Sequence, residues 1–186
     1  MKNRLKTHQL ILLAVLIALI LACGAVVAYM FQRTAETNLQ FAPAEVTCKV
    51  TTSEATDSSG NLTISSIQVK NTGNIDAYLR VRLVPYWYDS ANDALAAKTP
   101  PPDPDATLVD DVWEEGSDYT YYYVSPVSAG STVELLKMPV VLTASSEGYH
   151  PKVDFLAEAI QANPGTAVTS SWGVTLDSNG YIVSAP

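Results

Sequence analysis

The sequence predicts an all-β protein: a jelly-roll-like β-sandwich preceded by one N-terminal transmembrane or signal helix. Beyond residue 45, short runs rich in β-branched and aromatic residues alternate between apolar and polar positions, and clusters of turn formers separate them. About eight such strands and few helical periods indicate two stacked sheets. A separate apolar run near the start accounts for the helix. The 186 residues are therefore expected to form one domain, residues 45–186, behind a leader.

The N-terminal residues have the pattern of an export segment. Residues 1–9 form a basic n-region, in which Lys2, Arg4 and Lys6 stand without an acidic residue, and residues 10–31 contain no charged side chain. About 20 apolar residues suffice to cross a bilayer as a helix. Because the basic residues precede the apolar run, the chain start is expected in the cytoplasm and the remainder outside. The predicted location is secreted, or on the extracellular face of the cell membrane.

The sequence leaves three fates open for the apolar run. The length of residues 10–31 is typical of a retained transmembrane anchor, whereas the small residues Val26-Val27-Ala28 favour cleavage after Ala28. Lipidation at Cys23 is disfavoured, because apolar residues continue past the cysteine. Residues 32–44 are interpreted as a linker. The protein would contact the membrane through this helix, either before cleavage or without it.

Two strands are predicted at the start of the domain. Residues 45–52 alternate, with one apolar face formed by Val46, Cys48 and Val50. Residues 62–70 change phase midway between two apolar pairs, Leu62 with Ile64 and Ile67 with Val69. A change of phase within one strand predicts a β-bulge. The polar residues 53–61 between the two strands are predicted to be a turn.

The clearest alternation lies in residues 77–84, after the four turn formers Asn71 to Asn74. The pattern places Leu79, Val81 and Leu83 on the inward face. It places the intervening residues on the outward face: Tyr78, Arg80 and Arg82. Residues 86–88 extend this strand.

A Pro/Asp-rich insert, residues 90–111, interrupts the pattern of strands. It contains Pro100, Pro101, Pro102 and Pro104. Because proline cannot donate a backbone hydrogen bond, the insert is expected on the surface and outside the core. Further elements are predicted after it: strands at 119–124 and 132–143, the second broken by Pro139; a strand or helix at 153–162; helical turns at 166–172; and a closing hairpin at 174–183.

Charge and cysteine content exclude several classes of protein. Without the three N-terminal bases, the chain carries eight Lys and Arg against 19 Asp and Glu, a net charge of −11. This balance argues against nucleic acid as a partner, because such binding needs Lys and Arg to neutralise phosphates. Cys23 lies in the apolar run, so the exported domain holds Cys48 alone and no disulfide framework.

No catalytic residues are predicted, and the chain is interpreted as a non-enzyme without a required cofactor. His150 is the one histidine beyond the leader and is expected in a loop; it cannot build a histidine zinc site alone. No Gly-x-Ser-x-Gly motif accompanies it. Adjacent acids at residues 110–111 and 114–115 could suggest glycosidase chemistry, but such pairs in loops are usually hydrated side chains.

An acidic cluster is the candidate metal site. Oxygen ligands on an irregular loop suit Ca²⁺, which takes six to eight of them. The candidate ligands are Asp103, Asp105, Asp110 and Asp111, followed by Glu114, Glu115 and Asp118. Their spacing does not match an EF-hand loop. A solvated acidic loop is the simpler interpretation, and calcium is the alternative.

Aromatic residues form the candidate binding surface. The residues assigned to it are Tyr86, Trp87, Tyr88, Trp113, Tyr121 and Tyr123, with Tyr119 and Tyr122 beside them. Exposed rings near the insert could stack on a glycan or dock a protein. Since alternate residues of a strand face opposite sides, about half of these rings are expected in the core.

Four passages resemble exported proteins of Gram-positive bacteria that carry SipW-dependent-type signal peptides. They are AYMFQRTAETNLQFAPAEVTCKV (28–50), NTGNIDAYLRVRLVPYW (71–87), WEEGSDYTYYYVSPVSAG (113–130) and AEAIQANPGTAVTSSWGV (157–174). The chain is similar in these passages to the TasA/camelysin group. The resemblance implies a jelly-roll fold, a Gram-positive-type cell and a role at the cell surface or in an extracellular, biofilm-type matrix. The insert departs from the group, and the resemblance carries no catalytic residues over.

The combined reading is an exported structural or adhesive component that acts by assembly. A strand edge can accept a strand from another copy, and residues 29–43 are the predicted donor of a homopolymer. The alternative is a monomeric surface module that binds a glycan or protein.

Overall fold

The computed structural model describes residues 15–17 and 43–186. Val15, Leu16 and Ile17 are helical. Within the two described ranges, no helix is long and apolar enough to span a membrane. The predicted n-region, the cleavage site after Ala28, Cys23 and nearly all of the linker lie outside the described residues. The rest of this section concerns the unit formed by residues 44–186.

Eleven strands and one short helix are described in this unit. They are β1 Cys48–Thr56, β2 Leu62–Asn71, β3 Ala77–Asp89, β4 Ala94–Leu95, β5 Trp113–Glu115, β6 Thr120–Tyr123, β7 Thr132–Glu134, β8 Val140–Leu142, β9 His150–Gln161, α1 Thr166–Trp172, β10 Thr175–Leu176 and β11 Ile182–Ser184. All of their pairings are antiparallel. The prediction of an all-β protein is confirmed.

The strands form two large sheets and a small hairpin. In the first sheet β2 is central, with β1 on one edge and β7 and β8 in line on the other. In the second sheet β3 is central, with β9 along one edge, and β6 and β4 along the other; β5 continues the sheet beyond β6. The hairpin pairs β10 with β11, as predicted around residues 178–180.

The predicted bulge in β2 is confirmed. Ser53 of β1 lies opposite Ser66, but the next residue, Glu54, lies opposite Ile64, so Ser65 is the extra residue. The Glu134 carboxylate accepts hydrogen bonds from the Ile67 N–H at 2.9 Å and from the Ser66 hydroxyl. Ile67 faces the other edge of β2, in the gap between the residues paired with β7 and those paired with β8, and the Glu134 side chain satisfies its N–H there.

One hydrophobic core is shared by the inner faces of the two sheets. The predicted inward residues of β2 and β3 are all buried in it: Leu62, Ile64, Ile67, Val69, Leu79, Val81 and Leu83. The predicted inward face of β1, Val46 with Cys48 and Val50, packs against the same core. Period-2 alternation thus identified the inner face correctly.

The outer face of β3 was predicted to be exposed, but its N-terminal end is buried. Tyr78 is only 2% exposed and belongs to a second apolar cluster with Tyr122, Val168, Trp172, Val174 and Ile182. Helix α1 and strand β11 supply three of these side chains and cover this part of the sheet. Tyr78 donates a hydrogen bond to the Gly180 carbonyl at 2.5 Å. Outward orientation therefore did not mean exposure to solvent.

Several other boundaries differ from the predictions. The turn predicted at 53–61 is shorter, because β1 continues to Thr56. The ambiguous segment at 153–162 is strand, within β9. Strand β5, which the alternation did not indicate, pairs with β6. The helix at 166–172 and the break at Pro139, between β7 and β8, are confirmed.

The insert also contributes to the interior, contrary to prediction. Pro102 and Pro104 are buried, and Ala106, Leu108 and Val109 pack against the shared core. The backbone of the insert forms hydrogen bonds with the segment after β7. The Val109 N–H donates to the Leu135 carbonyl, and the Lys137 N–H donates to the Thr107 carbonyl. The prolines occur where no ladder donor is needed.

The turn between β2 and β3 packs against and hydrogen-bonds the residues that lead into β1. Asn71 is fully buried; its amide donates to the Ile75 and Val127 carbonyls and accepts from the Gly73 N–H. A Cβ atom on Gly73 would lie 2.2 Å from the Glu45 carbonyl oxygen. Glycine is required there, because the chain entering β1 lies directly on this turn.

Candidate interaction surfaces

Three of the predicted surface aromatics do not form a binding platform. Trp113 and Tyr121 are 6% and 2% exposed and belong to the shared core, and Tyr123 packs against it. The Trp113 indole donates to the Glu134 carbonyl at 2.8 Å and meets the Tyr123 ring edge-on, with centroids 5.1 Å apart. For these residues the prediction of a binding surface is wrong. Their strands turn these rings toward the core.

Tyr86, Trp87 and Tyr88 remain half-buried at the end of β3. The Trp87 indole donates to the Pro100 carbonyl at 2.8 Å, and the Tyr88 hydroxyl donates to the Asp93 carboxylate. Lys98 and Lys152 stand about 6 Å from the Trp87 and Tyr88 ring centres, respectively. These rings are engaged by their own neighbours, so they offer a smaller surface than predicted.

The predicted calcium ligands do not converge. Asp110 forms an ion pair with Lys137, and Asp103 accepts a hydrogen bond from the Tyr119 hydroxyl. Among residues 15–17 and 43–186, no three His, Cys, Asp or Glu side chains are grouped so that they could hold a metal ion. The metal site predicted from Asp103, Asp105, Asp110 and Asp111 is therefore not assembled, because these carboxylates point to separate partners or to solvent.

Burial and carboxylates of the acidic loop together raise the pKa of a buried tyrosine, Tyr121. Burial, followed by the nearby carboxylates of Glu115, Asp103 and Asp105, raises the pKa of Tyr121 to about 12. The pKa of Tyr119 is also raised, by burial and by Asp103. Both effects favour the neutral phenol.

His150 lies in a strand rather than in the predicted loop. It is the first residue of β9 and stands opposite Tyr88 of β3. Its ring lies against Gly60, where a Cβ atom would be 2.0 Å from Nδ1. That nitrogen is buried and has no hydrogen-bond partner among the described residues. Together with Lys152 and the residues around Asp57, it lines a cleft of about 320 Å³.

The part of the β3–β9 sheet beyond the second cluster is open. Its outer face carries Arg82, Val84 and Tyr86 on β3, with the exposed Leu156 opposite Arg82 on β9. Arg80 marks the boundary: its guanidinium lies 4.8 Å from the Trp172 ring centre and bonds the Glu158 carboxylate at 2.7 Å. The residues of β3 therefore change from covered to accessible within one strand.

Two long strands pair on one side only among the described elements. Strand β9, of twelve residues, pairs with β3, and β1, of nine residues, pairs with β2. The two lie beside each other. Burial, followed by the Glu158 carboxylate of β9, raises the pKa of the Cys48 thiol in β1. This side of the domain presents strand edges that sequence alternation alone could not locate.

Comparison with known proteins identified no relative of this chain. No family model, no curated protein and no solved structure matches the chain. The resemblance to the TasA/camelysin group stays a prediction, and the interaction surfaces have to be interpreted from their own chemistry.

Sequence reasoning missed both accessible features. The open outer face around Arg82 and Leu156 was predicted only as an outward strand face, because its residue types do not differ from those of any exposed strand. The edge of β9 was hidden because residues 153–162 fit strand and helix equally well. A signal did exist for β9: Val153, Phe155, Ala157 and Ala159 alternate with Asp154, Leu156 and Glu158.

Proposed function

We propose that this protein is an exported, non-enzymatic structural or adhesive component of the cell surface or extracellular matrix of a Gram-positive-type cell. In this proposal a jelly-roll-like β-sandwich follows one N-terminal helix, which inserts in the membrane before or without cleavage after Ala28. The protein assembles with its own copies by strand addition. The observation that carries the proposal is the twelve-residue edge of β9, which pairs on one side only among the described strands.

The chemistry of β9 suits strand addition. An edge strand presents unpaired backbone N–H and C=O groups, and an incoming strand gains affinity from these hydrogen bonds. Residues such as Val153 and Phe155 face the core, whereas Asp154 and Glu158 are exposed. Pro151 removes one backbone donor near the beginning of β9. The strand available for addition is therefore the part after Pro151.

The proposed donor is the segment of residues 29–43 from another copy. In its sequence Leu39 and Phe41 alternate with the polar residues Asn38 and Gln40, a pattern typical of a strand with one apolar face. The segment precedes β1 in the chain, and β1 is the strand next to β9. A short connection could therefore carry it to the β9 edge of a neighbour. Cleavage after Ala28 would release it from the membrane.

Electron microscopy tests this assembly. A chain beginning at Tyr29 is expected to form fibres at high concentration, whereas a chain beginning at Ala44 stays monodisperse. Phe41→Glu should abolish fibres, because it places a charge on the apolar face of the donor. Gln40→Glu adds the same charge to the opposite face and should leave fibres intact. Monodisperse particles from the longer chain would eliminate the proposal.

The open outer face supports a second candidate, a monomeric module that binds a glycan or a protein. Arg82, Leu156 and Tyr86 offer charged, apolar and aromatic contacts on one sheet face. Trp113 cannot contribute to such a surface, because it is buried in the core. A glycan array probed with the Ala44–Pro186 domain separates the two candidates: selective binding by non-fibrous protein favours the module.

A further inference from the structure

Two neighbouring clefts share Arg82 as a common wall. The first, of about 240 Å³, is lined by Arg80, Arg82, Ser117, Asp118, Thr120, Tyr122, Leu156 and Glu158. The second, of about 170 Å³, continues on the other side of Arg82 and Asp118 toward Pro101 of the insert. We call the first cleft, which lies on the open outer face, the Arg82 cleft.

The two arginines of this cleft differ in how firmly they are held. Arg80 bonds Glu158 through both Nε and an Nη atom, at 3.1 and 2.7 Å, and stacks near Trp172. Arg82 has a 3.5 Å ion pair with Asp118, and their side chains are 50% and 78% exposed. An ion pair that long and exposed contributes little free energy. The Arg82 guanidinium can therefore exchange Asp118 for another carboxylate.

The remaining lining combines three other kinds of group. Ser117 and Thr120 carry hydroxyls, which can donate or accept hydrogen bonds. Asp118 and Glu158 carry carboxylates, which can accept hydrogen bonds from the hydroxyls of a ligand. Leu156 is 55% exposed and supplies an apolar contact. A ligand that uses all of them has one carboxylate, several hydroxyls and a C–H face.

We propose that the Arg82 cleft binds one acidic sugar unit, with the sugar carboxylate on the Arg82 guanidinium. Arginine suits this contact, because its planar fork matches a carboxylate with two parallel hydrogen bonds. Asp118 and Glu158 then accept bonds from the sugar hydroxyls, and Leu156 packs against the C–H face. Clefts for drug-sized ligands occupy about 300–1,000 Å³, so the smaller volume here suits a single sugar unit.

The cleft favours an acidic glycan over a peptide carboxylate. Two of its acceptors, Asp118 and Glu158, are acidic and would repel a second anionic group. The same two carboxylates are good partners for hydroxyl donors. An acidic sugar presents one anionic group among several hydroxyls, which is the arrangement that this mixture of charges accommodates.

Ligand-observed NMR with the full-length chain in a mild detergent tests the proposal. The probes are methyl glucuronoside, methyl glucoside and acetate. Methyl glucuronoside should bind saturably, and the other two at least about tenfold more weakly, since each lacks either the carboxylate or the hydroxyls. Arg82→Ala should weaken glucuronoside binding by about tenfold or more.

Lys152→Ala is the matched control, because it removes the same charge from the same sheet face outside the Arg82 cleft. It should change glucuronoside affinity less than about twofold. Equal weakening by both variants would show attraction to diffuse charge and overturn the proposal. Acetate binding as tight as that of glucuronoside would show a simple anion site, and the absence of saturation would show no site; either result also overturns it. None of these three outcomes depends on fibre formation.

Discussion

The two ends of the outer face of β3 differ although they belong to one strand. Tyr78 and Tyr86 are both tyrosines on the same side of the sheet, eight residues apart. Tyr78 is buried under α1 and the β10–β11 hairpin, whereas Tyr86 is half-buried and its hydroxyl lies 3.5 Å from the Asp154 carboxylate. The strand geometry is common to both ends. What differs is the presence of a covering element.

This contrast shows that one face of the sheet carries a second apolar cluster at one end and stays accessible at the other. At the covered end, aromatic and aliphatic side chains form a second cluster that adds buried apolar area to that of the shared core. At the open end, Arg82 and Leu156 stay accessible. Arg80 lies between the two ends. Substitutions at matched positions should therefore have unequal effects on stability.

The largest difference is expected between Tyr78→Ala and Tyr86→Ala. Removing the buried ring leaves a cavity in the second cluster and should lower the free energy of unfolding by about 3–5 kcal/mol. Removing the half-buried ring should cost less than about 1.5 kcal/mol. Urea denaturation followed by tryptophan fluorescence measures both. Equal losses would mean that α1 and the hairpin do not protect the covered end.

A smaller loss is expected from Gly180→Ala. Gly180 has φ +82°, and an added Cβ would lie 3.3 Å from the Tyr78 hydroxyl oxygen. The left-handed backbone costs a non-glycine residue about 1–2 kcal/mol. Gly148→Ala is the control, because it has φ +85° with no atom within 4 Å of the added Cβ. Thermal melts should show a larger decrease in Tm for Gly180→Ala than for Gly148→Ala. Equal decreases would mean that the contact between Gly180 and Tyr78 does not contribute to stability.

Arg80→Met and Arg82→Met sharpen the comparison at the boundary. Arg80→Met should cost about 1 kcal/mol, because it removes the stacking on Trp172 and a partly exposed ion pair with Glu158. Arg82→Met should cost less than about 0.5 kcal/mol. Chemical denaturation at low and high salt measures the difference. A greater loss for Arg82→Met would reverse the assignment of the covered and open ends.

A further prediction concerns pH and extends the comparison to the inner face. The pKa of Tyr121 is raised to about 12, whereas an unfolded tyrosine titrates near 10. Its stabilising contribution should be complete below pH 10 and disappear as the pH rises toward 12, because the fold favours the neutral phenol. Several tyrosines have a raised pKa, among them Tyr78 and Tyr119. Tyrosinate absorbance should therefore show a late-titrating component near pH 12 that Tyr121→Phe reduces by one group. An unchanged titration curve would contradict the assignment.

The inner face could be predicted from the sequence because its signal is local. Alternation identified Leu79, Val81 and Leu83, and the change of phase in β2 located its bulge. Both patterns follow from the two-residue repeat of a strand. The covering of Tyr78 could not be predicted, because its hydrogen-bond partner Gly180 is 102 residues away in the chain. Alternation assigns a residue to a face and does not identify what packs on that face.

The candidate sites were harder to predict for the same reason. Tyr121 and Trp113 have the composition of a binding platform, but their strands turn them inward. The acidic residues are close in sequence, yet Asp110 and Asp103 turn to different partners. The Arg82 cleft combines residues from β3, β6, β9 and the segment before β6. Only the tertiary arrangement brings them together.

The junction at Gly73 has a mechanical consequence. Glu45 donates its backbone N–H to the Asn74 side chain at 2.8 Å, and the Thr47 carbonyl accepts from Thr72 and Gly73. A pulling force on the N-terminal segment would reach these bonds first and the pairs of β1 afterwards. Forced unfolding is governed by the unfolding barrier. The strength of these hydrogen bonds would therefore set how long the domain stays folded when its N-terminal end is pulled.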